Sequence, residues 1–289
     1  MISPFNYPLT PETSVRVYPD GSPRNLEISD LHKGLILVHR GAELVGEGAG
    51  FGVPVVIYKD KTFFSSHAET FVEDNGDSLI VLKRYLLDTV SMKKLKNGVY
   101  INDFAYHTLH GVFHAAYIRV KPLRSFFDGV MAFRRTVGVQ THFIQVEPRG
   151  TAEVRFEIYP NQIQVQADFG LKQDYQEIMV LNEQGASFFN MYKDLSGLEL
   201  VEKDIGGWDK IVSSRASLHD VKHGILFTLN KPSHGLYYRG WENIDGRLSW
   251  AGINYSIPRN TPSHIEYVID LEFPGQLNKM EQGRGAEYV

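Results

Sequence analysis

The sequence predicts an all-β protein, a single large antiparallel β-sandwich with few short helices, and three observations carry that reading. Short apolar runs recur from Ser14 to Phe273 with turn residues between them, and about fifteen strands at such spacing suit a sandwich or a barrel. Residues 152–159 and 162–168 each alternate polar with apolar side chains and face one another across Pro160-Asn161. That is the pattern of a half-buried antiparallel hairpin. No linker, low-complexity tract or fixed-period repeat interrupts the 289 residues. One domain over 1–289 is therefore the simplest organisation, with an extended arm at 1–13 and a polar surface tail at 275–289.

Taken in order, residues 14–18 alternate, Pro19-Asp20-Gly21-Ser22-Pro23 turns, and residues 34–39 form a continuous apolar run. Residues 53–58 read as a strand whose Pro54 has no N–H for a ladder, which sends it to an edge or a bulge. Lys59-Asp60-Lys61 reads as a hairpin turn, with the return over 62–71. Residues 78–95 carry cap-like residues at both ends, yet Leu79-Ile80-Val81-Leu82 and Thr89-Val90-Ser91-Met92 favour strand. Asn102-Asp103 offers an N-cap to a loose helical stripe over 104–117. Further strands are expected at 177–181, 187–192, 198–201, 211–214, 224–229, 236–238, 248–255 and 265–273. Asn182-Glu183-Gln184-Gly185 reads as one of the turns between them.

Composition narrows the function classes. A net charge of −4 supplies no basic field for nucleic acid or anionic membrane. The absence of cysteine excludes disulfides, thiolate metal sites and a cysteine nucleophile. The first eight residues show no basic region followed by an apolar run, and no apolar stretch approaches the roughly 20 residues of a spanning helix. The expectation is a soluble, cytoplasmic protein with no cofactor, no nucleic-acid partner and no membrane partner. Association of identical copies stays open.

The most unusual stretch is Gly46-Glu47-Gly48-Ala49-Gly50-Phe51-Gly52. In an extended strand its alternate glycines leave one face without side chains, which marks close approach by a ligand, another backbone or a ring. Neither common nucleotide loop fits. Gly52 is followed by Val53-Pro54 rather than Lys-Ser/Thr, and no glycine stands at offset five from Gly46, Gly48 or Gly50. A strand packed by its bare face against another layer is the plain reading.

Four constellations could carry chemistry. His67 and Glu69 share a strand face and form a serviceable acid–base pair, with Phe63, Phe64 and Phe71 nearby to desolvate the carboxyl. His107, His110 and His114 fall on one stripe if helical, a spacing that metal-binding helices use. No acidic residue lies between the last two, and packed, hydrogen-bonded histidines are the commoner outcome, so no metal is assigned. Arg119, Lys121, Arg124, Arg134 and Arg135 precede Gln140, His142 and Gln145. Guanidiniums clamp anions in bidentate fashion, while a charged edge strand explains the same residues without a ligand. The fourth, read as a loop, spans 234–243 and includes Tyr238, Trp241 and Glu242, with Trp250 and Tyr255 close in sequence. Aromatic faces beside polar hydrogen-bonders suit sugar rings. No GxSxG elbow is present.

At the level of fold, a cysteine-free, many-stranded chain of this length resembles the β-supersandwiches of aldose epimerases and polysaccharide lyases. The resemblance implies His, Glu, Tyr and Arg side chains drawn from the strands of a concave face, and no motif of those families is matched residue by residue. The expected function is a carbohydrate-active protein, an epimerase, lyase or hydrolase working on a sugar or sugar acid. Its catalytic candidates are His67, Glu69, His142 and Glu242, and its substrate-binding candidates Arg134, Arg135, Tyr238 and Trp241. The alternative is a non-catalytic structural or binding protein that associates through a sheet edge, the glycine-faced strand serving as that edge.

Overall fold

A computed structural model describes residues 4–19, 32–59, 61–94, 100–101, 140–172, 175–244 and 248–274. The strands in chain order are β1 (Phe5–Pro8), β2 (Thr13–Val17), β3 (Ile36–His39), β4 (Ala42–Glu43), β5 (Gly50–Tyr58), β6 (Thr62–Phe64), β7 (Ala68–Asp74) and β8 (Leu79–Leu86). There follow β9 (Thr89–Lys94), β10 (Tyr100–Ile101), β11 (Gln140–Gln145), β12 (Gly150–Tyr159), β13 (Gln162–Leu171), β14 (Tyr175–Gln184) and β15 (Phe189–Asp194). The last are β16 (Glu199–Val201), β17 (Gly207–Lys210), β18 (Arg215–Asp220), β19 (Ile225–Asn230), β20 (Leu236–Ile244), β21 (Leu248–Pro258) and β22 (His264–Glu272). The helical stripe expected over 104–117 lies outside the described residues, and so does the tail at 275–289.

These strands form three antiparallel sheets. The first is small, β1-β2-β3-β4, and takes in residues 5–8 of the expected arm. The second runs β10-β9-β6-β5-β14-β21-β20-β17, with β11 also on β9. The third runs β16-β15-β18-β19-β22-β13-β12-β8-β7. The second and third pack face to face, as the ring contacts between them show: Phe51 on β5 meets Phe227 on β19 at 5.1 Å, and Tyr255 on β21 meets Tyr267 on β22 at 4.6 Å. The chain is an all-β antiparallel sandwich, as the alternation predicted. Its β12–β13 hairpin pairs Glu157 with Gln164 and Phe156 with Val165, so one face is apolar and buried and the other polar. Each fully buried Val, Ile or Phe contributes roughly 1.5–3 kcal/mol, and the interior of both sheets is filled with them.

The glycine stretch departs from the single strand expected. Gly46 and Glu47 form a turn closed by the Gly48 N–H on Val45 O at 2.8 Å, and strand begins only at Gly50. Glycine matters most at Gly52. Leu181 pairs with Val53 and Asn182 with Phe51, so Gly52 is the extra residue of a β-bulge, at φ +75°. A Cβ there would come to 2.4 Å from Cε1 of the Phe156 ring in the opposite sheet. The Gly52 N–H, freed from the ladder, donates to Asn182 Oδ1 at 3.1 Å, which also accepts from the Tyr267 hydroxyl at 2.8 Å.

The strand is no edge. β5 pairs β14 along one side, while Leu35 and then β6 pair with the other. Pro54 falls between those two partners, where its missing N–H breaks no bond. An association through a glycine-faced edge therefore has no edge to use.

Other boundaries moved for physical reasons. The return over 62–71 splits, because β6 belongs to the second sheet and β7 to the third, with Ser65–His67 crossing between them. Residues 211–214 are not a strand. Ile211 is buried, which gave the apolar signal, but the chain there passes from β17 in the second sheet to β18 in the third. The stretch 234–243 is largely strand rather than loop, since β20 pairs β21 from Leu236 to Ile244. Likewise β14 continues through the expected turn at 182–184.

Candidate functional site

Strand register brings four glycines into one row. Gly50, Glu183, Gly252, Gly240 and Gly207 lie directly opposite one another across β5, β14, β21, β20 and β17. Their neighbours Phe51, Asn182, Ile253 and Trp241 turn toward the interior, so the row lies on the outer face of the second sheet. Glu183 is its only side chain.

Glu183 is 7% exposed. Its Oε2 accepts the Ala49 N–H at 3.2 Å and its Oε1 accepts from Asn254 Nδ2 at 3.2 Å. Burial pushes the carboxyl up to about 7, against the pull of those two bonds and of the Lys33 charge, and the Glu242 charge adds to the rise. Lys33 lies over the turn beside it and donates to Gly46 O at 3.1 Å and Gly48 O at 3.3 Å. Burial lowers the Lys33 pKa, while Glu47, Glu43 and Glu183 hold it up.

Aromatic rings border the glycines. The Trp250 ring covers Gly240, where an added Cβ would come to 2.5 Å from it, and its indole N–H donates to Glu242 Oε2 at 3.1 Å. Trp208 lies against Trp250 at 5.6 Å and is 38% exposed. It holds a left-handed φ of +70°, a conformation that costs of order 1 kcal/mol in a non-glycine residue. Tyr238 stands opposite Asn254 on the same face, its phenol pushed up by burial and by Glu177. Together these groups offer a carboxyl that exchanges its proton near neutrality, a second carboxylate, a phenol hydrogen-bonder and flat apolar surface, while Asn254, fully buried, holds Glu183.

The residues singled out from sequence do not gather in one place. Tyr238 and Glu242 belong to this face. Trp241 points the other way, packs against the core and donates its indole N–H to Ala186 O at 3.1 Å, so it offers no ring to this face. Glu69 lies on β7 but His67 precedes the strand, in the crossing between the sheets, so the two do not share a strand face; both line an open depression of about 420 Å³ with Arg84, Thr151 and Glu153. His142 pairs with Met92 in β11, where the backbone alone is described. Arg119, Lys121, Arg124, Arg134, Arg135 and the His107, His110, His114 cluster lie outside the described residues. Among the described residues no three His, Asp or Glu side chains form a set that could hold a metal.

Sequence reading missed Glu183, Lys33, Asn254 and Trp208. Glu183 was hidden inside an apparent turn. The glycines that frame it come from four separate stretches, and only pairing register reveals them as a row.

The fold and this face define an all-β sandwich with a carboxyl-bearing sheet surface. No protein-family model and no curated relative matches the chain. Among solved structures it is similar to an α-N-acetylgalactosaminidase from Bifidobacterium bifidum in complex with GalNAc, at 8% identity and TM-score 0.47, over 97% of this chain. The chain spans 38% of that glycosidase. It is also similar to a putative aldose 1-epimerase from Escherichia coli, at 8% identity and TM-score 0.42, covering 93% of this chain and 99% of that one. A galactose mutarotase-like protein from Lactobacillus casei gives 10% identity and TM-score 0.43, covering 93% and 100%.

Proposed function

We propose that the protein is carbohydrate-active and binds a sugar ring on the glycine-floored face of the second sheet. Glu183 acts as the acid–base group and Glu242 as its carboxylate partner. Trp250 and Trp208 stack against the apolar C–H face of the ring, Tyr238 hydrogen-bonds its hydroxyls, and the fully buried Asn254 holds Glu183 in place. Of the residues chosen from sequence, Tyr238 and Glu242 carry over into this reading.

The observation that supports it is the isolation of Glu183: a buried carboxyl, raised to about 7, on a row otherwise bare of side chains. A carboxyl poised near the working pH can both donate and accept a proton, which ring opening, epimerisation, elimination and glycoside hydrolysis all require.

Isothermal titration against a panel of neutral mono- and oligosaccharides tests it. Binding at millimolar strength or better is expected, weakened about tenfold by Trp250→Ala, which removes one stacking ring. Turnover of whichever sugar binds is expected to fall about 100-fold or more in Glu183→Gln. Absence of binding by every sugar at millimolar concentration overturns the proposal.

A further inference from the structure

Lys83 on β8 is fully buried, and no carboxylate among the described residues reaches it. Its Nζ lies 3.2 Å from Tyr18 O, 2.8 Å from Lys33 O and 3.0 Å from His32 Nε2. Two of these partners are carbonyl oxygens and can only accept. The third can donate or accept, according to where the imidazole carries its proton. The other ring nitrogen, His32 Nδ1, is buried and has no partner among the described residues.

Only two proton arrangements satisfy all three contacts. An ammonium would donate three times, leaving the His32 proton on Nδ1 as an orphaned buried N–H beside an unpaired buried charge. Both features are costly and rare. A neutral amine would donate twice and accept the Nε2–H, leaving only a bare lone pair on Nδ1. Among the described residues, the surrounding groups do not rescue the ammonium. His67 acts on His32 only to lower its pKa, and the Tyr85 ring meets the imidazole edge to face at 5.6 Å. The Tyr18 phenol is taken up with Glu43, which Arg16 also holds, and Lys33 is itself a cation.

We infer that Lys83 is a neutral amine accepting the Nε2 proton of His32, and that its two remaining bonds make it a positioning residue for Lys33 and, through Lys33, for Glu183. The chain of contacts is short. Lys83 fixes the Lys33 carbonyl, the Lys33 ammonium binds Gly46 O and Gly48 O, and the adjoining Ala49 N–H binds Glu183. In the same direction, burial lowers Lys83 to about 7 and holds His32 well below the usual imidazole range, with Lys83 and His67 adding to the latter.

Nitrogen-15 NMR of the wild-type protein tests the first half without any ligand. At about pH 8.5 the lysine Nζ signal that vanishes in Lys83→Met is expected to be an NH2, and the His32 proton is expected on Nε2. An NH3⁺ at that pH, or a His32 proton on Nδ1, overturns the inference. The positioning half rests on the sugar-binding reading for its consequence but not for its readout. Carbon-13 titration of the Glu183 carboxyl is expected to move its midpoint upward in Lys83→Met, because the Lys33 charge shifts away, and sugar affinity to fall about tenfold. An unmoved Glu183 midpoint refutes the positioning role whatever the sugar result. Lys33→Met removes the same charge from a partly exposed position and should raise that midpoint too. Should Lys83→Met fail to fold, an unmoved midpoint in Lys33→Met refutes the role instead.

Discussion

The outer faces of the two large sheets are built on the same ladder and treat charge in opposite ways. On the third sheet one row reads Glu69, Arg84, Glu153, Asp168 and His264 across β7, β8, β12, β13 and β22. Arg84 meets Glu153 at 2.7 Å, and His264 lies 2.7 Å from Asp168 and 3.1 Å from Glu266. These pairs are about half exposed, so each contributes at most about 1 kcal/mol. On the second sheet the corresponding row holds four glycines and a single buried carboxyl. Density of titratable residues marks the solvated face. The candidate site lies where charge has been thinned out and what remains has been buried.

The largest test of that contrast is the pH dependence of stability. The Glu183 carboxyl rises from 4.5 to about 7 in the fold, so the folded state holds its proton where the unfolded chain has lost it. Its contribution to stability is complete below pH 4.5 and disappears as pH rises to about 7, a loss of about 3 kcal/mol. Urea unfolding of the wild type and Glu183→Gln across that window should show the loss in the wild type alone. Parallel curves for the two proteins would mean that Glu183 is not held apart from solvent.

The floor can be broken separately from the carboxyl. A Cβ at Gly252 would come to 2.7 Å from Glu183 Cγ and 2.9 Å from Asn182 O, so Gly252→Ala should cost about 2 kcal/mol and displace Glu183. On the other face, a Cβ at Gly170 meets only Thr151 Oγ1 at 3.2 Å. Gly170→Ala should therefore stay within about 0.5 kcal/mol of the wild type by urea unfolding. Equal costs for the two substitutions would remove the case for a close-fitting floor.

Much of the fold was legible because alternation is local. The β12–β13 hairpin shows its buried face in Val154, Phe156 and Ile158 without reference to anything distant. What escaped depends on contacts far apart in sequence. Ile211 looks like strand because it is buried, but the sheet change around it depends on where β17 and β18 find partners. The Asn182-Glu183-Gln184-Gly185 run has turn composition and is mostly strand, because Asn182 and Glu183 place their polar groups on Gly52, Asn254 and Ala49. The aromatic, Glu-rich stretch around Tyr238 and Glu242 was found from composition. Which of its side chains face outward was not, since a one-residue change of register would exchange Trp241 with Glu242.

The smallest effect belongs to His264. Burial works against its charge, but the bonds to Asp168 and Glu266 outweigh that and raise its pKa above 6.5. The fold therefore favours the charged imidazole more than the unfolded chain does. Its contribution is thus fully present below pH 6.5 and is lost as pH rises through the raised folded value. His264→Gln should lower stability at pH 5.5 and leave it unchanged at pH 8.5, by about 0.5 kcal/mol or less, because the group is more than a third exposed. Salt should erase the difference, since exposed pairs are screened within about 10 Å at 0.1 M. A larger, salt-insensitive loss would mean that His264 is shielded as Glu183 is, and the contrast between the two faces would no longer single out the second sheet.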